Sequence, residues 1–204
     1  MRLFWFRTLH AAGTGLLLAV FVIGAPRGAA AQDAAAFISN LGAQGLWALS
    51  PSVPRAQQEA RFRQLLESNF DLPEIARFVL GPYVRTMSPA TYQQYLPLFR
   101  DYLVQVYTIR LSRYADSPFR VTGSRPWGGE TVVTSSVWRD GVSPIQIDWH
   151  VINRGGRLLV ADVVVEGVSM KATQRAEFTS IIQRGGGQAE ALIAALRQQL
   201  AQAR

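Results

Sequence analysis

A chain of 204 residues has room for one domain and little more. Hydrophobic residues make up 49% of it and charged residues 17%, which excludes a disordered chain, and the absence of cysteine excludes disulfide frameworks, thiol catalysis and cysteine-ligated zinc. The net charge is +7, and the two histidines are His10 and His150. Since His10 falls in an N-terminal leader, any histidine chemistry rests on His150 alone.

Residues 1–31 read as a secretory signal peptide. Arg2 and Arg7 supply the positive start, Ala11 to Ala25 an apolar stretch, and Ala29-Ala30-Ala31 a small-residue cleavage pattern before Gln32. The apolar stretch falls short of the about 20 residues that a membrane span needs; the alternative is an uncleaved N-terminal anchor. No cysteine follows it, which excludes lipoprotein anchoring. The expected product is a single exported domain, residues 32–204, in the periplasm. Removing Arg2, Arg7 and Arg27 with the leader lowers the charge from +7 to +4. The remaining arginines are scattered, so the charge does not point to nucleic acid, although it suits an anionic membrane surface.

The first half of the remainder has helical spacing. Ala34 to Leu49 carries a loose apolar stripe (Phe37, Ile38, Leu41, Leu46, Trp47), weakened by Gly42 and Gly45. Ser52 to Phe70 follows, with Pro54 suited to its first turn and Phe62, Leu65, Leu66 and Phe70 on one face. Asp71 is placed to cap a short helix running to Leu80, stopped by Gly81-Pro82. Ser88-Pro89 opens the longest helix, roughly 89–114, with an aromatic-rich face and Pro97 inside it, where a proline should kink or split it.

The second half changes period. Phe119–Ser124, Thr131–Trp138, Ile145–Asn153 and Leu158–Glu166 read as four strands joined by Gly-rich turns, hence an antiparallel meander. Ile145, Ile147, Trp149 and Val151 point one way, and Gln146, Asp148 and His150 the other. Helices over Ser169–Gln183 and Gln188–Gln202 close the chain around Gly185-Gly186-Gly187. The pattern predicts an α+β fold, with helices covering one face of a curved four-stranded sheet.

Catalytic motifs are missing: there is no G-x-S-x-G, H-E-x-x-H, Walker loop or dinucleotide fingerprint. The triple glycine follows a helix and reads as its terminator. Asp148 and His150 share a strand face and form either a general-base pair or a solvated sheet surface. The apolar inventory is more informative. Tyr95, Phe99, Tyr102, Leu103, Val106 and Tyr107 on the long helix, and Val133, Val137, Ile147, Trp149, Val151, Val163 and Val165 on the sheet, make either a packed core or the walls of a ligand cavity.

Several segments resemble the MlaC/toluene-tolerance family of periplasmic phospholipid-binding proteins. They are Ala76-Arg77-Phe78-Val79-Leu80-Gly81-Pro82-Tyr83, Leu98 to Leu103, Ile147-Asp148-Trp149, Asp162 to Met170, and the tail from Glu177-Phe178 through Arg184-Gly185-Gly186 to Leu196. The similarity is collinear over residues 33–200, and Pro97 departs from it. The resemblance implies a fold related to the NTF2-like cone, with a hydrophobic lipid cavity between sheet and helices. Its lining is expected from Val79, Leu80, Tyr83, Phe99, Tyr102, Leu103, Val106, Tyr107, Val133, Val137, Ile147, Trp149, Val151, Val163, Val165, Val168, Phe178 and Ile182. It also implies a monomeric, non-enzymatic shuttle without metal or cofactor. The expected partners are phospholipid, an inner-membrane ABC transporter with an MCE-domain subunit, and an outer-membrane lipoprotein–porin complex. The alternatives are a hopanoid-pathway lipid-binding protein and an NTF2-like enzyme using Asp148 and His150 on a small hydrophobic substrate.

Overall fold

Short glycine turns build the sheet. In the computed structural model, which describes residues 27–139 and 141–202, β1 (Phe119–Trp127), β2 (Glu130–Arg139), β3 (Val142–Arg154) and β4 (Arg157–Val165) pair antiparallel in chain order. Gly128-Gly129 and Gly155-Gly156 form two-residue loops with φ between 55° and 89°, as a type I′ hairpin requires. The sheet has five strands, not the expected four: Glu166 and Gly167 (φ 49° and 80°) turn the chain back into β5 (Val168–Ser169). A two-residue strand is too short to show an alternation. β1 also runs past Ser124 through Pro126, which an edge strand tolerates because it has an unpaired side.

The helices are α1 (Arg27–Ala48), α2 (Arg55–Asn69), α3 (Leu72–Val79), α4 (Pro89–Ser112), α5 (Met170–Arg184) and α6 (Ala189–Gln202), with a 3₁₀ turn over Gly81–Arg85. Most of the expected leader, residues 1–26, lies outside the described residues; residues 27–31 are continuous with α1. Pro54 precedes α2 as its cap residue and does not sit in its first turn. Ser88 caps α4, its hydroxyl accepting from the Thr91 amide at 3.0 Å. Pro97 neither ends nor splits α4. Its ring and the unpaired Gln93 carbonyl lie at exposed positions, where water replaces the lost bond.

Asp71 precedes α3, but its side chain does not cap it. The carboxylate instead accepts from Arg154 Nε and Nη2 on β3, at 3.2 and 3.0 Å. The Asp71 amide donates to the Val160 carbonyl on β4 at 3.0 Å, and Arg157 donates to the Ser68 carbonyl at 3.1 Å. The α2–α3 junction is thereby fastened to the β3–β4 hairpin.

Two separate apolar clusters result. The larger is helical and is centred on Tyr95, Phe99 and Phe178, with Tyr95 stacked on Phe99 at 5.5 Å and Phe178 meeting Phe99 edge-on at 6.0 Å. The smaller lies where α1 crosses the sheet and joins Ala34, Ile38 and Leu41 to Val133, Val151 and Val160. Phe70 borders both.

Two outcomes follow. A Cβ at Gly42 would overlap the Phe119 ring, which is already held edge-on against Trp149. Gly42→Ala should therefore destabilise by about 1–3 kcal/mol through overpacking, despite a helix-propensity gain of about 1 kcal/mol; denaturant unfolding reads the sign. Burial pushes Tyr95 well above the ordinary tyrosine range, and Tyr102 and Tyr107 rise for the same first cause. The folded state then holds protons that the unfolded chain releases above a pH of about 10. These tyrosines leave stability unchanged with pH up to that value and lower it above, and ultraviolet tyrosinate absorbance from the buried Tyr95 should appear together with the loss of helical circular dichroism.

Candidate functional site

Alternation along β2, β3 and β4 sorts the inner face of the sheet. Val133 pairs with Trp149, Ser135 with Ile147 and Val137 with Ile145; across β3, Trp149 faces Val163 and Ile147 faces Val165. α1 covers one end of this face, where Val133 and Val151 are fully buried. Beyond Trp149 the cover stops. Val137, Ile145, Ile147 and Val165 are cross-strand neighbours that pack into neither cluster. Three of them, Ile145, Ile147 and Val165, keep part of their surface accessible. An apolar strip on the inner side of the sheet thus joins neither cluster, and each Å² of it left to water costs about 25 cal/mol.

Trp149 sits at the boundary of cover and strip. Its indole N–H donates to Ser135 Oγ at 2.9 Å, which satisfies the one polar group of a large apolar ring. Val106 and Tyr107 on α4 also remain partly accessible at the edge of the helical cluster. The Tyr107 hydroxyl is raised by burial first; Arg110 opposes the shift, and Tyr102, Glu177 and Asp162 add to it. Those groups belong to α4, α5 and β4.

The expected lining residues therefore divide. Val79, Leu80, Phe99, Tyr102, Leu103, Phe178 and Ile182 are buried in the helical cluster, and Tyr83 is half-buried against it. Val133 and Val151 are packed under α1, with Trp149 and Val163 beside them. Val137, Ile147 and Val165 form the strip, and Val106 and Tyr107 border it from the helical cluster. Val168, on β5, pairs with Val165 and so shares the strip's face at the sheet edge, where it is 53% exposed. Ile145 belongs with the strip by register, although it was not among the expected lining residues; its place in the Ile145-Ile147-Trp149 alternation was the available signal.

The polar face does not assemble a catalytic pair. Asp148 accepts from Thr134 Oγ1 at 2.7 Å, whereas His150 Nδ1 meets Glu130 Oε2 at 2.7 Å and the ring lies edge-on to Trp127. Two side chains of β2 thus engage Asp148 and His150 separately. Asp162, buried at 7% exposure, accepts from Ser169 Oγ and from the Val163 and Lys171 amides; it fixes the start of α5. No group of three or more histidine, aspartate or glutamate residues among those described is placed to hold a metal ion.

Residues 50–198 match the family described as MlaC protein. Among solved structures, a phospholipid-binding protein from Ralstonia solanacearum, determined in complex with a phospholipid, is similar with a TM-score of 0.70. The match covers 83% of this chain and 98% of that chain at 20% identity, a likeness of fold. With its α+β layers in the same arrangement and most of its length matched, the chain belongs to the MlaC family.

Proposed function

We propose that this chain is a non-enzymatic phospholipid carrier of the periplasm, passing lipid between an outer-membrane lipoprotein–porin complex and an inner-membrane ABC transporter with an MCE-domain subunit. The observation that carries this reading is the strip Val137-Ile145-Ile147-Val165 on the inner face of the sheet, which joins neither apolar cluster and keeps three of its four side chains partly accessible. Membership of the MlaC family and the phospholipid held by the similar Ralstonia protein support it. Acyl chains are the natural partner for such a strip. A two-chain phospholipid exposes about 30 methylenes, and hiding them is worth on the order of 25 kcal/mol. No covalent chemistry and no cofactor are needed, only a cover for the tails and docking at each membrane.

Protein purified without detergent should release phospholipid on denaturing mass spectrometry, and a lipid-free preparation that gains none from liposomes would overturn the proposal. Ile147→Arg places a charge on the strip at a half-accessible position, from which a long side chain can reach water without unfolding the sheet. Bound lipid should drop by about tenfold or more, as a penalty of at least about 1.4 kcal/mol implies, while circular dichroism stays as in the parent. Stripping the lipid should lower Tm by roughly 5–10 °C, the shift expected when a ligand present at about a hundredfold above its Kd is removed; reloading from liposomes should restore it.

A further inference from the structure

Phe78, near the end of α3, is 37% exposed, and two cations of α5 sit over its ring. Lys171 Nζ is 5.1 Å from the ring centre, and the Arg175 guanidinium carbon is 5.2 Å from it. Gly81 makes room for this arrangement. Its φ is 58°, a conformation that favours glycine, and a Cβ there would lie 3.0 Å from Arg175 Nε.

Neither cation is neutralised. Among the described residues, Lys171 and Arg175 take part in no ion pair. They stand four residues apart on α5, where like charges repel. Lys171 also occupies the first turn of that helix, where the dipole disfavours a cation, and the turn holds no acidic residue. The nearby carboxylates are committed elsewhere: Asp162 to the Ser169 hydroxyl and the Lys171 amide, Glu166 to the Gln146 amide, and Glu177 to Gln174. On α3 itself Glu74 is matched by Arg77. An anion from outside the protein would relieve both repulsions.

We propose that this corner docks the protein on an anionic bilayer surface, with Phe78 at the headgroup level and Lys171 and Arg175 on lipid phosphates. Basic side chains flanking a part-exposed aromatic ring form the pattern that settles at a membrane interface. One ring and two cations fall far short of the about 800 Å² that a specific protein partner covers, whereas a fluid bilayer adapts to so small a contact. The corner also lies close to the strip. Val168, exposed at the sheet edge and paired with Val165, stands three residues before Lys171, at most about 11 Å of chain. Docking extends the carrier reading and does not depend on it.

The test is co-sedimentation of the purified protein with vesicles of phosphatidylcholine, or of equal parts phosphatidylcholine and phosphatidylglycerol. The parent should bind the anionic vesicles alone and release them at high salt. Lys171→Gln with Arg175→Gln should weaken binding by about twenty- to thirtyfold, since each cation at an anionic surface contributes about fivefold. Phe78→Ser should weaken it by about fivefold at unchanged charge. Arg113→Gln with Arg125→Gln removes the same charge from exposed positions elsewhere and should leave binding unchanged. Equal weakening by the two glutamine pairs, or none by the first, would overturn the assignment and leave the carrier intact. A parent that binds poly-L-glutamate but not the anionic vesicles would assign the corner to an acidic protein and equally overturn it. A parent that docks through this corner yet takes up no lipid would keep the docking surface and end the carrier reading.

Discussion

An apolar surface that the chain's own helices do not cover is the constraint around which this molecule is organised. Helices and a sheet with this much hydrophobic content could close on one another into a single core. Instead the interior is divided: aromatic rings fill the helical layer, α1 seals one end of the sheet, and Val137, Ile145, Ile147 and Val165 are left between. Leaving Ile145, Ile147 and Val165 partly open to water opposes folding, because part of the transfer free energy and of the dispersion contacts of a close-packed interior is forgone. Two acyl chains would supply the missing contacts without requiring any chemistry of the protein.

Keeping two layers from collapsing takes polar ties at defined points. Asp71 joins the α2–α3 junction to Arg154, Arg157 reaches the Ser68 carbonyl, and the Asp71 amide meets Val160. At the opposite side, Asp162 holds the first turn of α5 against β4. Each bond is directional, unlike apolar packing, so it sets the separation of the layers as well as their contact. Asp71, which the sequence alone would offer as a helix cap, is used in this way.

Much of the fold is legible from residue spacing, because 3.6-residue and two-residue periods separate cleanly at about residue 118. The departures have physical causes. β5 is too short to display an alternation. Pro97 is tolerated because its lost hydrogen bond faces water, and exposure is not visible from a local pattern. Gly42 looks like a weakness in a helix until Phe119, far along the chain, is seen to occupy the space where a side chain would be. The same limit applies to the site. Strip residues such as Ile147 and core residues such as Val151 have the same chemistry and the same strand face. Only the placement of α1 distinguishes them, and that depends on contacts more than a hundred residues apart.

The paired glycines at the hairpin tips carry a consequence for the evolution of this architecture. Side chains on a strand swap sides with every residue, so the loops that align neighbouring strands also decide which side of the ribbon is oily. One residue added between Arg154 and Arg157 would leave every strand as hydrophobic as before, yet would turn β4 inside out relative to β3. Binding surfaces of this kind can drift freely in side-chain identity, whereas the spacing of the turns tolerates almost no insertion or deletion.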